Sequence, residues 1–359
     1  MKKIVTILGA RPQFVKAAVL SRIIKKYGLI NEIIIHTGQH YDANMSQVFF
    51  DEMDIPSPKY NLNINGLQHG AMTGQMLDEI EKILLSEKPN AVLVYGDTNT
   101  TLAGALAAKK LHIKVIHIEA GLRSFNMQMP EEINRILTDR ISDLLACPTD
   151  VAMQNLQKEG FDAFPSTVVK TGDIMKDAVV YYSAMVTEKS TIISDLSLDE
   201  NQFILATIHR QENTDKLENL KSIFEGFSEL TKQIKVVFPV HPRTKKLIQN
   251  FDIPDNLLLI EPVGYFDMLS LLKHCKLVIT DSGGLQKEAY FNQKFCIIVR
   301  EETEWVELVH HNFAKIVGCN AAKMLEVYYY FSNQLFQSDN DLYGTQVGEA
   351  IHTEILKIL

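Results

Sequence analysis

Short β-branched runs punctuate this chain at intervals that suit strands of a parallel sheet. They fall at residues 3–8, 32–37, 91–95, 115–118 and 143–146, with amphipathic stretches of helical length at 16–27, 70–86 and 101–111 between them. Strands alternating with such helices build βαβ units, because parallel neighbours need a long crossover that returns over the sheet face. A second series follows at 203–208, 235–240, 257–260, 276–280 and 295–299. The polar stretch 187–201 between the series reads as a linker, and 345–359 reads as a closing helix. At 359 residues the chain exceeds one core of about 100–200 residues. The expected fold is therefore α/β, with two Rossmann-like doubly wound domains facing a cleft. The first spans 1–175 and the second 176–340, while 341–359 forms a helix whose docking site the sequence does not give.

Several classes of function are excluded or made unattractive. A net charge of −8 gives no concentrated basic face, so nucleic acid is not the expected partner. A few cations inside a cleft can still hold a small anion. No apolar run approaches the roughly 20 residues of a spanning helix, and the basic, apolar start at Met1–Gly9 is too short for a signal peptide. Cys147, Cys275, Cys296 and Cys319 are widely spaced, which suits reduced thiols better than a metal site or disulfide frame. The expected location is the cytoplasm. No GxGxxG fingerprint follows the first strand, since Pro12, Gln13 and Phe14 occupy it, and GxxxxGK[ST] and HExxH are also missing. No metal and no cofactor are expected.

In open α/β sheets ligands gather beyond the carboxyl ends of the strands. The residues at those ends here are polar and charged. They are Gly9 through Lys16, Gly96-Asp97-Thr98, Glu119 through Arg123, His209-Arg210, His241-Pro242-Arg243 and Asp281-Ser282-Gly283-Gly284. Each has a plain structural reading as well. Ser282 can simply cap a helix, although paired glycines there also let backbone N–H groups approach an anion. Asp97-Thr98 can cap the helix beginning near 101. Glu131, just after Pro130, suits a first helical turn and can pair with Arg135. His209 can be a satisfied core histidine and Lys16 a solvated helix lysine. It is their joint occurrence at strand ends that points to chemistry.

Taken together these motifs resemble the non-hydrolysing UDP-N-acetylglucosamine 2-epimerases, over nearly the whole length. The resemblance rests on Gly9 through Lys16, Gly96-Asp97-Thr98, His117-Ile118-Glu119-Ala120-Gly121-Leu122-Arg123 and Pro130-Glu131-Glu132-Ile133-Asn134-Arg135. In the second half it rests on His209-Arg210, His241-Pro242-Arg243 and the run from Thr280 to Ala289. It implies a glycosyltransferase-B fold, a UDP-sugar as substrate and a homodimer. It also implies inversion at C2 by loss and return of UDP through a 2-acetamidoglycal. Two places depart from the pattern. Gln13 stands where GTRPE is usual, and Thr303-Glu304-Trp305-Val306-Glu307 stands where TERPE is usual. With Ser124-Phe125-Asn126 after Arg123, the wording is closer to the branch acting on UDP-2,3-diacetamido-2,3-dideoxy-glucuronate for surface polysaccharide.

The resemblance assigns roles residue by residue. Asp97, Glu119, Glu131 and His209 form the acid/base set. Lys16, Arg11 and Arg210 stabilise charge on the leaving diphosphate, and Arg123 and Arg135 orient the carboxylates. Ser282, Gly283 and Gly284 hold phosphate, with His241 at the neighbouring strand end. Glu288 meets the ribose, and Tyr265 or Phe266 covers the uracil. Arg243 is the cation for a uronate carboxylate. Gln39 and His40 mark a second, activating UDP-sugar position, at which Tyr41 replaces the usual basic residue. A glycosyltransferase, a hydrolysing epimerase and a catalytically silent sensor of the same fold are the rival readings.

Overall fold

The computed structural model describes residues 1–39, 53, 55–249, 251–338 and 341–359. His40 and Tyr41 lie outside the described residues. The chain divides into two compact units. The first comprises Met1–Ala178 with Asp341–Leu359, and the second comprises Val179–Asn340.

In chain order the first unit runs β1 (Lys2–Leu8), α1 (Arg11–Tyr27), β2 (Ile30–His36), β3 (Tyr60–Asn61), α2 (His69–Glu87), β4 (Ala91–Tyr95), α3 (Asn99–Lys110) and β5 (Lys114–Ile118). It continues with α4 (Pro130–Ile141), β6 (Leu144–Cys147), α5 (Asp150–Lys158), β7 (Thr167–Lys170) and α6 (Ile174–Ser183), the last ending in the second unit. The strands form one parallel sheet in the order β3-β2-β1-β4-β5-β6-β7. All five residues of β4 are buried, as both faces of a parallel strand are covered by helices. Val5, Ile7, Ile35, Met76, Ile80, Val92 and Val94 pack together on one side of the sheet. The order reverses between β1 and β4, and that switch point opens a crevice beyond their carboxyl ends.

Helix α4 is amphipathic the wrong way round. Its buried residues are Glu132, Asn134, Arg135, Thr138 and Asp139, while Ile133 and Leu137 are exposed at 40% and 47%. A helix that turns polar groups inward must satisfy each of them there.

The second unit begins with α7 (Val186–Lys189) and α8 (Ile192–Asp195), where the sequence reads as linker. These single turns pack against the helix Tyr265–His274. Ser190 Oγ donates to Asp267 at 2.7 Å, and Ile192 is buried, so the stretch belongs to the unit's body. Next come β8 (Phe203–Thr207), α9 (Gln211–Thr214), α10 (Leu217–Leu230), β9 (Lys235–Pro239), α11 (Pro242–Leu247), β10 (Leu257–Ile260) and α12 (Tyr265–His274). The unit ends with β11 (Leu277–Thr280), α13 (Gly283–Phe291), β12 (Cys296–Ile298), α14 (Val306–His310), β13 (Ala314–Ile316) and α15 (Ala321–Ser332). Its parallel sheet has the order β10-β9-β8-β11-β12-β13, with the switch between β8 and β11. Short edge strands β3, β7 and β13 escape the sequence pattern because two to four residues carry too little periodicity to register.

The chain then returns, and the terminal helix Val347–Ile358 docks on α1 of the first unit. Val347, Ile351 and Ile355 are fully buried there, His352 stacks on Tyr27 with centroids 4.9 Å apart, and Glu349 meets Lys26 at 2.9 Å. Ile351→Ala should cost the first unit about 2–5 kcal/mol, the usual range for emptying a buried aliphatic site. Urea denaturation followed by far-UV circular dichroism would check this, and an unchanged midpoint would contradict the docking.

Candidate active site

The first unit's polar centre starts at the turn after β1. Gly9 stands where a Cβ would lie 2.2 Å from the hydroxyls of both Thr37 and Thr100, so no side chain fits. Gln13, buried in the first turn of α1, holds this turn in place. Its Oε1 accepts from the N–H groups of Gly9 and Ala10 at 2.8 and 3.0 Å. Its Nε2 reaches Tyr95 O at 2.8 Å and the Thr98 and Thr101 hydroxyls at 3.0 Å each. The turns after β1 and β4 are thereby joined. Gln39 adds a second tie, its Oε1 accepting from the N–H and hydroxyl of Thr100 at 3.0 and 2.9 Å.

One turn along α1, Lys16 pairs with Glu119, both side chains at most a tenth exposed. Glu119 follows β5 with φ +71°, a left-handed conformation unusual for a residue with a side chain. Such geometry persists where surrounding contacts enforce it, and it clusters at functional sites. Its N–H and that of Ala120 both donate to Ala146 O at 3.1 Å. Gly96, after β4, has φ +64°, and a Cβ there would come 3.2 Å from Glu119 Oε2 and 3.8 Å from Lys16 Nζ.

Asp97, one-third exposed, accepts from Arg135 Nε at 3.0 Å and Nη2 at 2.7 Å. Arg135 also donates through Nη1 to Glu132 Oε2 at 2.7 Å. Glu132 is fully buried and accepts from the N–H groups of Ser124 and Phe125 at 3.0 and 2.8 Å. Neighbouring Glu131 is half-buried in the first turn of α4, where the positive end of the helix favours an acid. Arg11 is half-buried at the start of α1.

Arg123 is spent internally. It makes a bidentate pair with Glu159 at 2.6 and 2.8 Å and donates to Asp139 Oδ2 and Leu122 O at 2.7 Å each. With its side chain 1% exposed it orients other groups and offers no face to a UDP-sugar. Burial alone would lower its pKa, but the two carboxylates outweigh that and raise it. Burial alone would raise the Asp139 carboxyl, yet the His117 and Arg123 contacts hold it below the ordinary range.

In the second unit one buried carboxylate organises the strand ends. Asp281 accepts from His209 N–H at 3.0 Å, Arg210 N–H at 2.9 Å and Asn213 Nδ2 at 3.0 Å. His209 is about a third exposed, with Nδ1 3.4 Å from Asp281 Oδ1 and its ring 5.7 Å from that of His241. Desolvation, aided by the nearby Arg210 and His241, lowers the His209 pKa against the pull of Asp281. His241 caps α11, its Nδ1 accepting from Arg243 N–H at 3.2 Å.

Gly283 and Gly284 open α13. A Cβ on Gly283 would sit 3.5 Å from Trp305 Nε1, 3.6 Å from Glu304 Oε2 and 3.9 Å from the Arg210 guanidinium, whereas nothing lies within 4 Å of one on Gly284. Ser282 N–H donates to Thr280 Oγ1 at 2.9 Å, and its side chain makes no cap bond. Gly284 and Glu288 are four residues apart on one helical face, both partly exposed. The Arg210 guanidinium and the Glu304 carboxylate thus both stand near this helix N-terminus, whose backbone N–H groups can meet an anion.

Two placements bear on the sequence reading. Tyr265 and Phe266 are 4% and 3% exposed, with centroids 5.7 and 5.8 Å from that of Tyr182 and edge-on to it. Neither presents an open ring face on which a base could stack. Arg243 lies in an exposed ion pair with Asp215 through Nη2, so it stands at the surface with a carboxylate already beside it. Sequence reasoning also missed Gln13, Glu132 and Asp139 as organising groups, and it placed Asp281 at a strand end without giving it this role.

Two such parallel-sheet units, one with carboxylates beside its switch point and the other with a glycine-opened helix beside its own, have the fold of the glycosyltransferase-B type. The family model described as UDP-N-acetylglucosamine 2-epimerase matches residues 22–356. The chain is 51% identical to UDP-2,3-diacetamido-2,3-dideoxy-D-glucuronate 2-epimerase of Pseudomonas aeruginosa, covering 95% of this chain and 96% of the relative. It is similar to the solved UDP-GlcNAc 2-epimerase of Methanocaldococcus jannaschii in complex with UDP-GlcNAc and UDP, with TM-score 0.91, 41% identity and 99% of both chains covered. The Neisseria meningitidis enzyme bound to UDP-GlcNAc gives TM-score 0.90 at 30% identity, again over 99% of both chains. The chain belongs to the UDP-N-acetylglucosamine 2-epimerase family and is an isomerase.

Removing the Gln13 amide should loosen this centre. Gln13→Ala strands the Gly9 and Ala10 N–H groups, at about 1–3 kcal/mol for each buried group left unsatisfied. A drop in thermal midpoint together with lower turnover is expected, measured by calorimetry and by a UDP-sugar epimerisation assay. Unchanged values of both would show that the tie carries no weight.

Proposed function

We propose that this enzyme interconverts the C2 epimers of UDP-2,3-diacetamido-2,3-dideoxy-D-glucuronate without hydrolysis, by eliminating UDP and adding it back. The C2 proton has no adjacent ring carbonyl to acidify it, so its direct removal would leave an unstabilised carbanion. Elimination avoids this. A base takes the C2 proton, the C2–H pair becomes the C1=C2 bond of a 2-acetamidoglycal, and the C1–O bond breaks with its electrons leaving on UDP. On return, an acid delivers a proton to the opposite face of C2 while a β-phosphate oxygen of UDP adds to C1. Atoms and electrons balance, with no oxidant or reductant consumed.

The observation that carries the reading is a pair of carboxylates held at adjacent strand ends in unlike surroundings. Glu119 is buried against Lys16, and Asp97 is partly exposed against Arg135. Acid and base roles follow from such environmental differences. Glu131 and His209 complete the acid/base set in this proposal. Arg11, Lys16 and Arg210 would stabilise the departing diphosphate, Ser282, Gly283 and Gly284 would hold its phosphates, and Glu288 would accept the ribose hydroxyls. Arg123 and Arg135 would act by positioning.

The choice of sugar rests on the 51% identity to the Pseudomonas aeruginosa enzyme and on Trp305 within the altered TERPE run. UDP-N-acetylglucosamine is the second reading, supported by 44% identity to the Methanocaldococcus jannaschii enzyme named for it. Among the described residues no helix is long and apolar enough to cross a membrane. A cytoplasmic homodimer serving surface polysaccharide is part of the same proposal. The exposed side chains of Phe125, Met127, Ile133 and Leu137 support self-association, which sedimentation would test.

Incubation with each UDP-sugar in D₂O, followed by proton NMR, should show deuterium entering C2 with UDP still attached, faster for the uronate. Free UDP accumulating without exchange would favour a hydrolase or transferase instead. Asp97→Asn, Glu119→Gln and Glu131→Gln should each lower turnover by about 10²-fold or more. Near wild-type rates in all three would remove the acid/base assignment.

A further inference from the structure

Asn213 is 1% exposed, and its whole amide is spent on neighbours from other elements. Nδ2 donates to Asp281 Oδ2 at 3.0 Å and to Val299 O at 2.9 Å, and Oδ1 accepts from Cys319 Sγ at 3.1 Å. A carbonyl has no hydrogen to give, so the NH₂ group faces Val299 and the amide oxygen faces the thiol. Burial first, then Glu301, Glu212 and Asp281, push the Cys319 thiol up to about 11, so it keeps the hydrogen it donates. The backbone N–H of Asn213 also donates to Arg210 O at 3.1 Å. One residue thus joins the turns that leave β8, β11, β12 and β13, four adjacent strands of the sheet.

Asp281 is the group on which this anchor acts. Its Oδ2 also takes the N–H groups of His209 and Arg210 at 3.0 and 2.9 Å, and its Oδ1 lies 3.4 Å from His209 Nδ1. Both backbone groups belong to one dipeptide, so by themselves they would let the carboxylate and that dipeptide shift together. Asn213 opposes the shift, because its second amide hydrogen is held at the end of β12. The four-residue helix α9 that carries it is too short to be stable by itself. Glu212, beside Asn213, adds to the hold by accepting from the buried Arg300 Nε at 2.8 Å. Glu212 and Asn213 therefore fasten α9 to two consecutive residues, Arg300 and Val299.

We infer that Asn213 is a positioning residue, fixing the Asp281 carboxylate and through it the backbone of His209 and Arg210. Its effect on turnover rests on the proposed roles of His209 and Arg210, whereas its effect on the geometry does not. Of the charged and titratable groups facing the His209 ring, Asp281 attracts its proton, and Arg210 and His241 repel it. A carboxylate that loses a hydrogen-bond donor is a stronger partner for the groups it keeps. Without the Asn213 amide, more of the Asp281 charge falls to the imidazole.

Long-range ¹H–¹⁵N spectra of ¹⁵N-histidine-labelled protein, followed against pH, test the geometry directly. The His209 signal is recognised among the eleven histidines by its loss in His209→Gln. In Asn213→Ala its titration midpoint should move to higher pH, and an unmoved midpoint overturns the inference. Turnover should fall about 10²-fold in the same variant, the scale expected for misplacing a reacting group by about 1 Å, with KM little changed. A lower thermal midpoint with turnover and KM both intact would make Asn213 structural only and overturns the positioning role. Should Asn213→Ala fail to fold, Cys319→Ala is the gentler test, since it removes only the donor to Oδ1. It should move the His209 midpoint the same way by less, and Cys319→Ser, which keeps a donor, should restore it. Identical His209 midpoints in those two variants overturn the inference. Wild-type turnover in His209→Gln would sink the acid/base reading of His209, and the shifted midpoint in Asn213→Ala would still establish the positioning.

Discussion

Gln13 accepts two backbone hydrogens from the turn after β1 and donates across to the last carbonyl of β4 and two threonine hydroxyls. Parallel strands are joined along their length by ladder hydrogen bonds, but nothing in the ladder fixes the turns that leave them. In this unit those turns carry Arg11, Asp97 and, through α1, Lys16. A buried amide that satisfies both turns at once sets their separation. Because each group it serves is buried, the alternative to the bond is an unsatisfied polar group and not a hydrated one.

The second unit uses the same device with a different residue. Asp281, at the end of β11, accepts from the first two backbone N–H groups after the turn out of β8 and from Asn213 beyond them. In each sheet one buried polar side chain ties together the turns that flank the topological switch point. The difference is charge. The neutral amide leaves the first unit's centre to be charged by Lys16, Glu119, Asp97 and Arg135. The carboxylate in the second unit lies against His209 and Arg210.

Buried charges stabilise a fold only when their partners are close and their remaining hydrogen-bonding capacity is met. Here they come in chains. Glu159, Arg123, Asp139 and His117 form one, and Glu132, Arg135 and Asp97 form another that ends in a partly exposed carboxylate. The inverted helix α4 supplies acids to both chains, from Glu132 and Asp139. Its inner face is given to electrostatic order, which explains why its apolar side chains are left outside. In the second unit Arg300 repeats the pattern, fully buried between Glu212 and Glu304.

The chain's own order of residues determined the class of fold, because β-branched runs and amphipathic stretches alternate with a period that only parallel βαβ units accommodate. It also located Lys16, Asp97, Glu119, His209, Arg210 and Gly283 at strand ends, since a doubly wound sheet leaves its ligand crevice there. Which way a side chain turns is a different matter. Periodicity would bury Ile133 and Leu137, whereas the packed unit buries Glu132, Arg135 and Asp139, because partners from other elements satisfy them. Tyr265 and Phe266 look like a platform for a base, yet they fill the space beside Tyr182. Arg243 looks like a spare cation, yet it stands paired with Asp215. Helix and strand are local and follow from spacing, but the partner of a charge is chosen by whatever distant segment folds against it.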